Sequence, residues 1–101
     1  MADKVIVFWR DIPAQVIVKK GRLTAKRELA ARFAEAIDMA AMRSGAAGTD
    51  DYLAEWRRAE PEAVSDELEA EADKAAAEIE ALWPQERLAN VARNGGRLAN
   101  E

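Results

Sequence analysis

Apolar and polar positions change their period near residue 22 of the chain. Before it, Val5-Ile6-Val7-Phe8-Trp9 and Val16-Ile17-Val18 are short runs of β-branched and aromatic side chains, which suit a pleated strand. Asp11-Ile12-Pro13-Ala14 separates them, and Pro13 fixes φ at a value that suits a turn. The pattern predicts a β-hairpin over residues 4–20, with Gly21 closing its second strand. Val5, Val7 and Trp9 share one face and Ile6 and Phe8 the other; Val16 and Val18 stand opposite Ile17 in the same way. Both faces are therefore apolar, and both call for cover. Two strands alone are marginal in water. Either a helix covers one face and a partner the other, or strands of a second copy extend the sheet.

From residue 24 onward the period is helical. Thr24 stands as the cap of a helix over about 24–43, with Gly45 as its stop. Leu29, Phe33, Ile37 and Ala40 form its apolar stripe. Thr49 caps a second helix over 50–60, with Asp50 and Asp51 in the first turn and Arg57 and Arg58 in the last, as the helix dipole favours. Pro61 ends it. Ser65 caps a third over 66–83, whose stripe is Leu68, Ala72, Ala75, Ile79 and Leu82. A short fourth over 85–93 contributes Leu88 and Val91 and stops at Gly95-Gly96. The expectation is a single α+β domain over 1–94, an N-terminal hairpin followed by three to four helices, with a flexible tail over 95–101. Neither an internal repeat nor a linker divides the chain.

Composition sharpens the picture in two ways. Half of the 101 residues are hydrophobic, but 23 of them are Ala, so the bulky apolar side chains concentrate in the hairpin and the core is thin for a monomer. The chain has no Cys and no His, which excludes Ser-His-Asp and Cys-His nucleophiles, zinc fingers and thiol redox chemistry. The apolar run at residues 5–9 is broken by Arg10 and Asp11, too short for a signal peptide of about 7–15 apolar residues or a span of about 20. A cytoplasmic protein away from the membrane is the expectation.

The net charge of −4 hides two opposed fields. Residues 1–45 carry nine basic and five acidic groups, a balance of +4; residues 46–101 carry six basic and fourteen acidic, a balance of −8. Lys19, Lys20, Arg22, Lys26, Arg27 and Arg32 gather against one Glu28 and form a candidate anion-binding stretch for phosphates. Residues 60–80 hold nine carboxylates and one Lys74, so pairing inside the protein or between subunits competes for the same cations. A second candidate is the turn, where Trp9, Arg10, Asp11, Ile12, Pro13 and Gln15 would make an interaction surface if exposed; buried, they would be core and turn. Tyr52, Trp56 and Trp83 read as bulk against an alanine-rich set, in the core or an interface, with stacking on a flat ligand as the alternative. Asp50 and Asp51 read as helix caps rather than metal ligands, and Gly95-Gly96-Arg97 as a helix stop rather than a phosphate loop. No cofactor or metal is expected.

The run Val5-Ile6-Val7-Phe8-Trp9-Arg10-Asp11-Ile12-Pro13-Ala14-Gln15-Val16 is specific enough to place. With Lys26-Arg27, Phe33, Ala36-Ile37-Asp38-Met39-Ala40-Ala41-Met42 and Asp51-Tyr52-Leu53-Ala54-Glu55-Trp56-Arg57-Arg58, it resembles the small bacterial proteins labelled virulence factor. Their domain is also similar to the C-terminal part of a HEAT-repeat conserved virulence factor. The likeness covers most of residues 4–60 and brings no catalytic residues with it. It implies an association with folate- and corrinoid-dependent one-carbon metabolism. The resulting expectation is a non-enzymatic accessory protein that contacts a protein partner, or itself as a homo-oligomer, through the hairpin. Nucleic-acid or anion binding through residues 19–32 is the alternative, and an enzyme working with carboxylates alone is a third.

Overall fold

The hairpin forms, and the same chain then completes its sheet. A computed structural model describes residues 1–98. β1 (Ala2–Trp9) and β2 (Ile12–Lys20) pair antiparallel, with Val5 opposite Ile17 and Ile6 opposite Val16. The register slips between Val7↔Gln15 and Phe8↔Pro13, leaving Ala14 as the extra residue of a bulge. β3 (Leu23–Glu28) follows at once and pairs with β2, so the predicted start of a helix at Thr24 is corrected to a third strand. Gly21, at φ 59°, reverses the chain tightly enough for residues 23–28 to lie back on β2. Ala25-Lys26-Arg27-Glu28 are good helix formers, yet ladder pairing and burial of Ala25 outweigh a propensity worth a few tenths of a kcal/mol per residue.

The first helix, α1 (Ala31–Ser44), begins seven residues later than its predicted cap. No side chain caps it at Ala30; the Ala30 amide donates instead to a Glu80 carboxylate oxygen at 3.0 Å. Its end is as expected, with Gly45 left-handed at φ 77°. The second predicted helix is cut short. α2 spans only Asp50–Ala54; β4 (Trp56–Arg58) and β5 (Glu62–Val64) take the rest and both pair with β1, opposite Val7–Trp9 and Ala2–Lys4 respectively. Between them the Ala59 amide donates to the Ile6 carbonyl at 2.9 Å. Closing the second edge of the most apolar strand gains more than another turn of a short helix. The sheet order is β3-β2-β1-β4, with β5 beside β4 along the same edge of β1.

α3 (Leu68–Leu82) and α4 (Gln85–Arg93) lie close to their predicted bounds. Ser65 serves the start of α3 from two residues before its cap position: its hydroxyl accepts from the Glu67 amide at 3.3 Å and donates to the Glu71 carboxylate at 2.6 Å. α3 packs on β2 and β3, while α1 packs on α4 and β2. Trp9, Phe33, Ile12, Leu88, Val16 and Val18 are the largest fully buried side chains, set among buried Ala36, Ala40, Ala41, Ala72, Ala75 and Ala92. The alanines make the core thin by volume but let helices approach closely. Val5 and Ile17, a cross-strand pair on the other face, are 4% and 5% exposed and stand outside that cluster. The sheet, which strands of a second copy are one way to extend, is extended by β3, β4 and β5 of the chain itself. No helix among the described residues is long and apolar enough to cross a membrane.

Candidate functional site

The turn predicted as a contact surface lies inside the protein. Trp9 and Ile12 are wholly buried and Pro13 is nearly so. The Trp9 indole Nε1 donates to the Tyr52 carbonyl at 2.8 Å. Arg10 holds a left-handed φ of 52°, which sends its guanidinium over the Trp9 ring, 4.9 Å from the centroid. Its Nη1 donates to the Gly95 carbonyl at 2.8 Å and its Nη2 stands 3.6 Å from Glu55. The Asp11 amide donates to the Gly96 carbonyl at 2.9 Å, and its carboxylate accepts from the Leu98 amide at 2.8 Å. Residues 95–98, predicted as the start of a tail, are therefore clasped by this turn; residues 99–101 of that prediction lie outside the described residues. A Cβ on Gly96 would come within 2.9 Å of the Trp9 ring, so the clasp closes only over glycine. Trp9, Ile12 and Pro13 are thus buried, while Arg10 and Asp11 are partly covered by the end of α4 and the strand β4 and are engaged within the chain.

The basic stretch is largely spent within the chain. Lys20 pairs with Asp66 at 2.6 Å, and Arg27 reaches both Glu69 and Asp73 on α3. Arg32 donates to the carbonyls of Trp83 and Glu80 at 3.2 and 2.9 Å. The hydrogen bonds that Arg27 donates to Glu69 and Asp73 raise its pKa above the ordinary value, and the bond from the Lys20 ammonium lowers that of Asp66. Lys19, Arg22 and Lys26 are exposed and form no ion pair among the described residues. Arg57 and Arg58 do not complement a helix dipole: both lie in β4, and Arg57 stacks on Phe8 at 4.6 Å and donates to the Arg10 carbonyl at 3.0 Å. Trp83 is buried beneath the Arg87 guanidinium at 3.9 Å. Asp50 and Asp51 occupy the first turn of α2, and no group of three or more acidic side chains among the described residues is placed to hold a metal.

One member of the predicted contact set, Gln15, faces elsewhere. The bulge at Ala14 turns it into a cleft of about 260 Å³ between α1 and the sheet. Glu28, its ladder neighbour on β3, forms one wall. Ala34, Ile37 and Asp38 of α1 form another, and Tyr52 of α2 and Trp56 of β4 close it. The Tyr52 and Trp56 rings meet edge to face, 6.1 Å between centroids. Both are half-buried, while Glu28 and Asp38 are exposed and engage no cation among the described residues. A more apolar depression of about 390 Å³, lined by Ala41, Met42, Ala47 and Gly48, shares Asp38 and Tyr52 with the cleft. Two aromatic walls with two unneutralised carboxylates and an amide can bind a cation or a flat polar group. Sequence reasoning saw Tyr52 and Trp56 as packing bulk and Glu28 only as the lone acid of a basic stretch. It missed Asp38 as a site residue, since a single Asp on an exposed helix face carries no signal.

The model of the virulence factor family matches residues 7–91. That is most of the chain, and it takes in most of the hairpin, the cleft and α3: the protein belongs to the virulence factor family. No curated protein and no solved structure matches it.

Proposed function

We propose that this member of the virulence factor family is a non-enzymatic interaction protein that receives a partner in the cleft between α1 and the sheet, rather than at the hairpin turn. The observation that carries it is the contrast in satisfaction of polar groups. Arg10, Asp11, Lys20, Arg27 and Arg32 all find partners within the chain. Glu28 and Asp38 line a cleft beside two aromatic rings and find none among the described residues. The adjoining depression, with Met42 68% exposed in its lining, offers an adaptable apolar rim of the kind that contacts use. The resemblance to the family's short members suggests an enzyme of folate- or corrinoid-dependent one-carbon metabolism as the partner. The anion-binding alternative now rests on Lys19, Arg22 and Lys26, and predicts binding that falls steeply with salt.

Ala34→Tyr provides the test. Ala34 is exposed on α1 and lines the cleft, so a tyrosine fills it without disturbing the core. Proteins retained from native lysate by the wild type should be lost from the folded variant. Equal retention of the same proteins overturns the assignment of the cleft as the contact surface.

A further inference from the structure

We infer that the cleft is a receptor for the guanidinium of one arginine side chain carried by the partner protein, an inference that rests on the cleft being the contact surface. The chain has six aromatic side chains, Phe8, Trp9, Phe33, Tyr52, Trp56 and Trp83. Four of them carry an arginine of the same chain over the ring: Arg57 on Phe8 at 4.6 Å, Arg10 on Trp9 at 4.9 Å, Arg32 on Phe33 at 5.0 Å and Arg87 on Trp83 at 3.9 Å. Among the described residues no cation covers the other two. Those two, Tyr52 and Trp56, are the pair that walls the cleft.

Carboxylates add the charge. Like many on this surface, Glu28 and Asp38 form no ion pair among the described residues, and they are the two that line the cleft beside these rings. The site thus offers the ring faces and the negative charge that the protein elsewhere fills with its own arginines.

Geometry and charge select the occupant. The cleft, about 260 Å³ and adjoining the depression of about 390 Å³, has room for one planar side chain. A guanidinium is planar, stacks on an aromatic face and forks between acceptors; the compact lysine ammonium does neither. Gln15 adds a neutral amide oxygen as a further acceptor for its fan of N–H donors. An acidic peptide or a phosphate would meet Glu28 and Asp38 and be repelled.

The test titrates the full-length protein with a capped glycine–serine peptide bearing one central arginine, following the Trp56 indole resonance. Matched peptides replace that arginine with citrulline, which keeps the shape and removes the charge, or with lysine. The arginine peptide should bind saturably, and citrulline should weaken it by about tenfold, the scale of one charge-assisted contact. Glu28→Gln with Asp38→Asn should weaken it similarly while circular dichroism stays unchanged. Equal binding of the citrulline peptide, or no movement of the Trp56 resonance at millimolar arginine peptide, overturns the inference. If lysate proteins are still lost on Ala34→Tyr, the cleft remains the contact surface and only its guanidinium assignment falls. A dimer that dissociates on Arg22→Glu, and whose dissociation is needed before the peptide binds, overturns the partner-protein source in favour of a second copy.

Discussion

The β1–β2 turn and the cleft beside α1 are built from nearly the same kinds of residue. Each has an aromatic pair, since Trp9 lies 5.7 Å from Tyr52 and Tyr52 lies 6.1 Å from Trp56. Each has carboxylates beside it and sits where the hairpin meets the helices. They differ in what has been done with the polar groups. At the turn the indole N–H, the Arg10 Nη atoms, the Asp11 amide and the Asp11 carboxylate all end on partners within the chain, and the Arg10 Nε alone is buried with no partner among the described residues. At the cleft the carboxylates face solvent and the rings are half-covered. Residue type alone therefore does not distinguish a structural clasp from the proposed receptor. The contrast lies in how far the polar groups beside the aromatic rings are satisfied within the chain.

The largest test of this contrast is Trp9→Ala. Removing a wholly buried indole from the clasp should cost about 3–5 kcal/mol, read as a fall in the urea midpoint at constant slope. A loss below about 1 kcal/mol would return the turn to the list of contact surfaces. Next comes Gly96→Ala, where the new methyl meets the Trp9 ring at 2.9 Å and the Ala40 Cβ at 3.3 Å at a φ of +89°; a cost of about 2–3 kcal/mol is expected. Gly48→Ala has φ +76° but nothing within 4 Å, and should cost only about 1 kcal/mol for the left-handed backbone. The difference between the two glycines measures how tightly the clasp closes.

A smaller effect should appear with acid. The Lys20 hydrogen bond holds Asp66 below its ordinary 3.8, and the Ser65 hydroxyl holds Glu71 below its ordinary 4.5. Carboxyls lowered in the folded state stabilise it above their unfolded values, and that contribution is lost as pH falls through the folded ones. Unfolding midpoints should therefore be flat from about pH 7 to 5 and decline below about 4. Lys20→Met should remove the Asp66 share of that decline, which is modest because both groups are exposed. The smallest effect belongs to the cleft. Glu28→Gln with Asp38→Asn should leave stability within about 0.5 kcal/mol of wild type while abolishing the preference for an arginine over a citrulline peptide. A large loss of stability would mean that these carboxylates are structural after all.

The hairpin and the two terminal helices were legible because their apolar periods, two and 3.6, run long enough to recognise. β3 was not, since Ala25-Lys26-Arg27-Glu28 favours a helix locally and becomes a strand only because β2 lies ready beside it. β4 and β5 have three residues each, too few to show a period, and exist because β1 has an edge to close. At the cleft, Gln15 could be named and Tyr52 and Trp56 noticed. What gathers them is the bulge at Ala14 and the pairing of β4 with β1, which set Gln15, Trp56 and Tyr52 around one cleft with Glu28 and Asp38, a fact of three dimensions that no spacing carries. The hairpin residues misled for the converse reason: Trp9 and Arg10 look like interface anchors until Gly95 and Gly96, more than eighty residues on, are seen to cover them.

The central place of β1 has a consequence for how the protein is made. Its strand is synthesised about fifty to sixty residues before those that seal its second edge, Arg58 opposite Val7 and Val64 opposite Ala2. At about 5–20 residues per second, a ribosome takes several seconds to pass from one to the other. Throughout that interval the nascent chain presents the unpaired backbone of its most apolar strand, the kind of edge that invites aggregation. Chaperone dependence during synthesis, and recovery that worsens as refolding concentration rises, would be the cellular and test-tube signatures of a sheet whose middle is laid down first.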